Sequence, residues 1–246
     1  MVRIVAHRGC SGEAPENTMA AFELALSEPA IPMIELDVHL SKDGVPVVIH
    51  DHTLDRTTSG TGPVKAYTLE ELRQLDAGSK FDAAFAGQRI PTLEEVLLLA
   101  KGCCKLHVEL KMLANEYEGI EERVISLIQR HGMQEDVVLS SFNHDSMKRA
   151  HEIDPSIATA LIYLGKPTLL EEQLRYTGAT GLSVHYGFVT QELVDEMTAL
   201  GMDLGVWTVD DSEVLARIIE AYPNIRITTN YPHRVLQIVR GEGVQA

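Results

Sequence analysis

Positive charge is what this chain lacks most: 21 Lys and Arg stand against 36 Asp and Glu, a formal net charge of −15. Such a surface repels phosphate backbones and anionic lipid heads, which excludes general binding to nucleic acid or membrane surfaces. Cysteine is scarce too. There are three, and the adjacent Cys103 and Cys104 are badly placed to bridge each other, so a reducing, cytoplasmic setting is expected. No apolar run approaches the ~20 residues that span a bilayer. The N-terminal residues reach His7 too soon to form a signal-peptide core. Aromatic residues make up 5%, which argues against the apolar rim that an enzyme acting on lipids or lysophospholipids would need. The remainder is ordinary globular composition, with 45% hydrophobic and 23% charged residues among 246.

Short β-rich runs alternate with helix-period segments, the pattern of parallel strands joined by crossover helices. Eight runs stand out: Val2 to Ala6, Met33 to Val38, Lys105 to Leu110, Asp136 to Ser141, Ile157 to Leu164, Gly181 to His185, Asp203 to Val209, and Ile225 to Thr229. The segments between them keep one apolar face, as in Ile120, Val124, Leu127 and Ile128. Thr68 with Glu71, Thr92 with Glu95 and Thr168 with Glu171 have capping-box spacing and mark helix starts. Eight β/α repeats in about 250 residues is the arithmetic of a (β/α)8 barrel. A doubly wound open sheet shares the alternation, but it calls for a Gly-rich phosphate loop after the first strand, where this chain reads HRGCSGEAPENT. The rhythm breaks between the second and third runs, where residues 39–91 hold a hairpin, a Gly- and Thr-rich loop and short helices. One barrel domain over residues 1–246 is expected, with a small insertion after the second strand at about residues 51–91.

In such a barrel the active site lies at the carboxyl ends of the strands. The first run ends in His7 and Arg8, the second carries Glu35 and Asp37, the third Glu109 and Lys111, and the seventh Trp207. Side chains alternate along a strand, so Glu35 points with Asp37 and Glu109 with Lys111, and three carboxylates can converge. A single acid at a strand end is ordinary solvated surface, whereas charged pairs at spacing two inside apolar strands call for a purpose. Oxygen ligands of this kind suit a hard divalent cation, Mg²⁺ or Ca²⁺, better than zinc. Asp43-Gly44 between two extended arms signals a hairpin. With those two residues as the loop, residue i faces 87 − i, which sets His50 opposite Asp37 and on its face; a slip of one residue would turn it away. Two imidazoles near a metal can act as general base and acid while Arg8 and Lys111 hold phosphoryl oxygens, which points to phosphoester hydrolysis. Proton abstraction beside a carboxylate in a metal-dependent lyase would use similar parts.

The segments HRGCSGEAPENT, IELDVHLSKDGVPVVIHD, LDRTTSGTG, IPTLEEVL, VELK, LSSF and GVWTVDD resemble, in order and spacing, the glycerophosphodiester phosphodiesterases. The resemblance runs from His7 to about Pro232. It implies a (β/α)8 barrel with a small insertion and a divalent-metal-dependent enzyme that cleaves glycerophosphodiesters to sn-glycerol 3-phosphate and an alcohol. By resemblance, His7 and His50 are the acid/base pair, Arg8 and Lys111 the phosphate contacts, and Glu35, Asp37 and Glu109 the metal ligands. A neighbouring glycerol hydroxyl is then the first to attack phosphorus, giving a cyclic phosphate that water opens. The last strand departs from the family's TD-x-P and reads Thr229-Asn230-Tyr231-Pro232, for which a structural role is expected. Trp207 stacks on glycerol or caps the barrel, and His185 is a further pocket-lining candidate. Cys10 is incidental to this chemistry. The expected substrates are small, water-soluble glycerophosphodiesters with several head groups accepted; the alternatives are an enzyme on lysophospholipids or a non-catalytic barrel that binds phosphodiesters.

Overall fold

The computed structural model describes residues 3–113 and 116–241. In chain order its strands are β1 (Arg3–His7), β2 (Met33–Leu40), β3 (Pro46–Val48), β4 (Lys105–Leu110), β5 (Val137–Ser141), β6 (Ala158–Tyr163), β7 (Gly181–His185), β8 (Asp203–Trp207) and β9 (Arg226–Thr229). All but β3 run parallel in the order β1, β2, β4, β5, β6, β7, β8, β9, and β9 pairs with β1 to close the ring. These eight are the expected runs, with ends moved by a residue or two; Val2 lies outside the described residues. The protein is a (β/α)8 barrel, and the open sheet is excluded by closure.

Alternation along the strands sorts the core into two shells. Ile34, Leu36 and Val38 on β2, and Leu106, Val108 and Leu110 on β4, are buried in the apolar cluster beneath the helices. The alternate residues face the barrel axis, and there the chain places polar groups. Arg226, 2% exposed, donates from Nε to Asp203 at 2.9 Å and lies 2.5 Å from His107 Nδ1 through Nη1. Gly205 makes room for it, since a Cβ there would sit 2.8 Å from the guanidinium. This ion pair and its histidine partner stop the barrel between its two ends.

The helices are α1 (Met19–Leu26), α2 (Leu69–Leu72), α3 (Leu93–Ala100), α4 (Ile120–His131), α5 (His144–Ile153), α6 (Leu170–Thr177), α7 (Gln191–Ala199), α8 (Ser212–Ala221) and α9 (Pro232–Arg240). Thr68 and Thr92 form the expected capping boxes with Glu71 and Glu95, satisfying otherwise orphaned amides at the starts of α2 and α3. The box expected at Thr168 does not form. Leu169 takes a left-handed conformation, α6 starts after it without a side-chain cap, and Glu171 instead pairs with Arg175 one turn on.

The hairpin after β2 also differs from expectation. Its register pairs Val38 with Val48, His39 with Val47 and Leu40 with Pro46, so residue i faces 86 − i. The loop has three residues, Lys42 to Gly44, closed by Gly44 N–H to Ser41 O (2.9 Å) and Ser41 N–H to Val45 O (3.0 Å). Gly44, at φ +78°, supplies the left-handed residue such a loop requires. Val47 and Ile49 then face a second apolar cluster with Leu54, Val64, Leu72, Ala77 and Ile90, on which the segment up to α3 rests.

The turn leaving β1 packs closely against α1. Arg8 (φ +55°) and Gly9 (φ +80°) both take left-handed conformations, and a Cβ on Gly9 would lie 2.6 Å from the backbone of Ala21 in α1. Gly9→Ala is therefore expected to cost at least about 2 kcal/mol and lower the melting temperature by several degrees. Thermal denaturation within a degree of the parent would contradict this packing.

Candidate active site

All eight parallel strands, or the turns after them, and the bend after β3 contribute to the pocket at the carboxyl end of the barrel. Its cavity has a volume of about 100 Å³ and is lined by His7, Arg8, Glu35, His50, His107, Glu109, Lys111, Ser140, Phe142, Ile162, Ser183, Trp207, Thr208 and Thr228. Asp37, 1% exposed, lies beneath this lining. Carboxylate oxygens of Glu35, Asp37 and Glu109 fall within 4.8 Å of one another.

Each carboxylate is held differently. Asp37 faces Arg8 Nε at 3.2 Å and Lys111 Nζ at 3.5 Å, and accepts from Asn17 Nδ2 at 2.8 Å. Burial alone would raise its pKa, but Arg8, Lys111 and the two imidazoles hold it well below the usual carboxylate range. Glu35 accepts the backbone N–H of Arg8 at 3.0 Å. Burial, then Asp37 beside it, push it well above the usual range. Glu109 pairs with Lys111 at 2.7 Å, yet burial lifts it to about 7. Three clustered acids with two displaced upward form a donor set short of positive charge. Asp37 Oδ1 is buried without a hydrogen-bond partner, with Lys111 Nζ 3.5 Å away. The set fits a hard divalent cation.

The two histidines have unequal partners. His7 Nδ1 lies 2.7 Å from Asn230 Oδ1, while Asn230 Nδ2 donates to Asp210 Oδ2 at 2.6 Å. The amide is thereby oriented with its oxygen toward His7, so Nδ1 carries the proton and Nε2, 3.8 Å from Glu35, presents a lone pair. Burial first, and Arg8 next, bring the His7 pKa down to about 4. His50 instead donates from Nδ1 to the Asp51 carboxylate at 2.6 Å. Arg56 grips Asp51 and also Glu16, which holds Arg8 at 2.8 Å, so a chain of alternating charge joins the turn after β1 to the segment after β3. Burial lowers the His50 pKa, with Asp37 and Asp51 working against it.

His50 reaches the pocket although the reason inferred from the sequence fails. The register 86 − i sets it opposite Leu36, an outward residue, but the ladder ends with Ile49 N–H to Asp37 O, and the chain bends at His50. The bend is fixed by His39, whose Nε2 lies 3.0 Å from the His50 carbonyl oxygen. Trp207 lines the pocket, its Nε1 buried without a partner. His185 is not in the lining; it stacks on Tyr186 and meets Trp207 edge-on with ring centroids 5.5 Å apart. Cys10 is buried in the apolar cluster. Sequence reasoning missed Asn17, Asp210 and the direct contact of Asn230 with His7. The PENT segment and the altered last strand were the only signals for them.

A closed (β/α)8 barrel whose strand ends gather an acidic cation site, two imidazoles and two fixed cations defines an enzyme class, the barrel hydrolases of phosphate esters. The sequence matches the model of the Glycerophosphoryl diester phosphodiesterase family over residues 7–233. It is 42% identical to a glycerophosphodiester phosphodiesterase of Caldanaerobacter subterraneus over 244 residues, 98% of each chain. A Bacillus subtilis glycerophosphodiester phosphodiesterase is 34% identical, with 96% of this chain and 86% of that one covered. Among solved structures, a phosphodiesterase of Oleispira antarctica in complex with the product sn-glycerol-3-phosphate superposes with a TM-score of 0.88 at 32% identity, covering 97% of this chain and 96% of that one. The chain belongs to the glycerophosphodiester phosphodiesterase family.

A cation entering this site must displace protons. Burial pushes Glu109 up to about 7 and Glu35 upward beside it, and both ligate as carboxylates, so cation affinity is expected to strengthen as pH rises through about 7. Calorimetric Kd values for Mg²⁺ or Ca²⁺ at pH 5.5 and 8 should differ by about tenfold or more. The same Kd at both values would refute the raised carboxylates, and Glu109→Gln should flatten the dependence.

Proposed function

We propose that the protein hydrolyses glycerophosphodiesters to sn-glycerol 3-phosphate and an alcohol, with a divalent cation, Mg²⁺ or Ca²⁺, held by Glu35, Asp37 and Glu109. The observation that carries this reading is the convergence of those carboxylates with His7, His50, Arg8 and Lys111 on one pocket, in a family barrel whose Oleispira relative is described with that product. When bound, the cation neutralises charge that develops on the phosphoryl oxygens.

The chain's own groups do the rest. Arg8 and Lys111 are anchored by Asp37, Glu16 and Glu109 and keep their charge at the pocket wall, where they position an anionic diester. His7, with Nε2 unprotonated and a neutral amide behind it, accepts the proton of the attacking hydroxyl. His50, backed by the Asp51 carboxylate that stabilises its imidazolium, donates to the leaving alcohol. In this reading the adjacent glycerol hydroxyl attacks first and water opens the cyclic phosphate, with the two histidines exchanging roles. The three unpaired cysteines support a cytoplasmic setting. Among the described residues no helix is long and apolar enough to cross a membrane.

Release of glycerol 3-phosphate from glycerophosphocholine and glycerophosphoethanolamine tests the reading; rates within about tenfold are expected for a leaving alcohol that is loosely held. His7→Ala and His50→Ala should each lower kcat by about 10² or more with the fold intact. Full activity in excess chelator would remove the cation from the scheme. Asn230→Ala should reduce kcat and leave KM nearly unchanged, because it frees the His7 ring without touching the cation site.

A further inference from the structure

Two imidazoles carry the proposed chemistry, and a third lines the same pocket. His107, 3% exposed, stands on β4 two residues before Glu109 and four before Lys111, and all three belong to the pocket wall. Its Nδ1 lies 2.5 Å from Arg226 Nη1. A guanidinium can only donate, so Nδ1 meets it with a lone pair, and a neutral ring that accepts at Nδ1 carries its proton on Nε2. Arg226 is fixed in turn by Asp203 at 2.9 Å and by the space that Gly205 leaves for it. His107 Nε2 is buried and has no hydrogen-bond partner among the described residues. The ring is therefore a rigidly held N–H donor, the opposite of His7, whose amide partner leaves Nε2 as an acceptor.

We propose that His107 sets substrate specificity by donating from Nε2 to the terminal hydroxyl of the glycerol, the one that neither carries phosphorus nor attacks it. The proposal rests on the phosphodiesterase reading of the same site. Depth assigns the donor its acceptor. Toward the open end of the barrel the order on β4 is His107, Glu109, Lys111, so His107 lies roughly 6–7 Å further down the strand than Glu109 and twice that below Lys111. The group that meets it is thus the part of the diester beyond the phosphate. Arg226 and His107 close the barrel at that level, so this end of the pocket is blind. A blind end suits the glycerol, whose size is fixed, and leaves the alcohol of variable size at the mouth. Charge agrees with that orientation. The ammonium of a choline or ethanolamine head group has no lone pair to accept from Nε2–H and would face the guanidinium behind the ring. A hydroxyl both accepts and donates, and Ser140 Oγ, buried and unpartnered in the same lining, can take its proton. A diester without that hydroxyl leaves Nε2–H buried and unpaired, which is how a site built around a hydrogen bond rejects an analogue.

The experiment compares glycerophosphocholine with the diester in which propane-1,2-diol replaces glycerol, keeping the attacking hydroxyl and lacking the terminal one. The wild-type protein should favour the glycerol diester in kcat/KM by about 10²-fold or more. His107→Leu removes the donor and should bring that ratio to within about threefold of one. His107→Gln, whose amide can accept from Arg226 and donate into the pocket, should restore most of the preference. A disturbance of β4 that merely displaced Glu109 would slow both diesters alike, so an unchanged ratio in His107→Leu overturns the proposal. Equal turnover of the two diesters by the wild-type protein also overturns it and leaves the phosphodiesterase reading standing. No turnover of either diester overturns that reading itself. The wild-type ring gives an answer that depends on no variant folding. In nitrogen NMR spectra at neutral pH, His107 Nδ1 should be unprotonated and Nε2 protonated, and sn-glycerol 3-phosphate should shift the Nε2–H proton where the phosphate of propane-1,2-diol does not. A proton on Nδ1, or the same shift with both ligands, overturns the assignment.

Discussion

Asp37 must keep its charge at a place where almost no water reaches it, and much of the site is arranged around that requirement. Stripping a carboxylate of solvent costs several kcal/mol, recovered only when close partners surround it. Those partners come from distant parts of the chain: Arg8 from the turn after β1, Asn17 from the loop into α1 and Lys111 from the end of β4. The tight left-handed turn at Arg8 and Gly9 exists to bring the first of them in. Once Asp37 has claimed the cations, Glu35 and Glu109 are left short of positive charge. An electrostatic shortage of this kind invites a divalent ion.

The barrel was legible in the sequence because its strands are short, apolar on alternate positions and separated by segments of helical period. Glu35 with Asp37, and Glu109 with Lys111, could be placed on the inner face by the same alternation. The hairpin was harder. Asp43-Gly44 reads as a two-residue loop, and only the hydrogen bonds at Ser41 and Val45 reveal the third residue that shifts the register by one. His50 is placed by a bend anchored on His39, eleven positions earlier in the chain, and not by strand pairing. Asn230 shows a different limit. A residue 223 positions from His7 sets that ring's tautomer, and no local pattern reports such a contact.

Composition does not say where the few aromatic residues stand. A chain with 5% aromatic residues has few of them to place. The structure instead concentrates what there is. Phe142 follows β5, Phe188 follows β7 and Trp207 ends β8; Phe142 meets Trp207 directly and His185 links Trp207 to Phe188, while the charged residues of the first two turns occupy the other side. Location, which an average over the chain discards, decides the character of a surface.

The Arg226 plug bears on the order of events in turnover. With the barrel axis stopped by Arg226, Asp203 and His107, the pocket has a single door, and two products of one cleavage must leave through it in turn. In the proposed reading Arg8 and Lys111 hold the fragment that keeps the phosphate, so the alcohol would depart first. The retained product then occupies the same groups that a fresh substrate needs. Accumulating product would compete directly with substrate, and the throughput of the protein would be governed by how quickly its surroundings carry that product away.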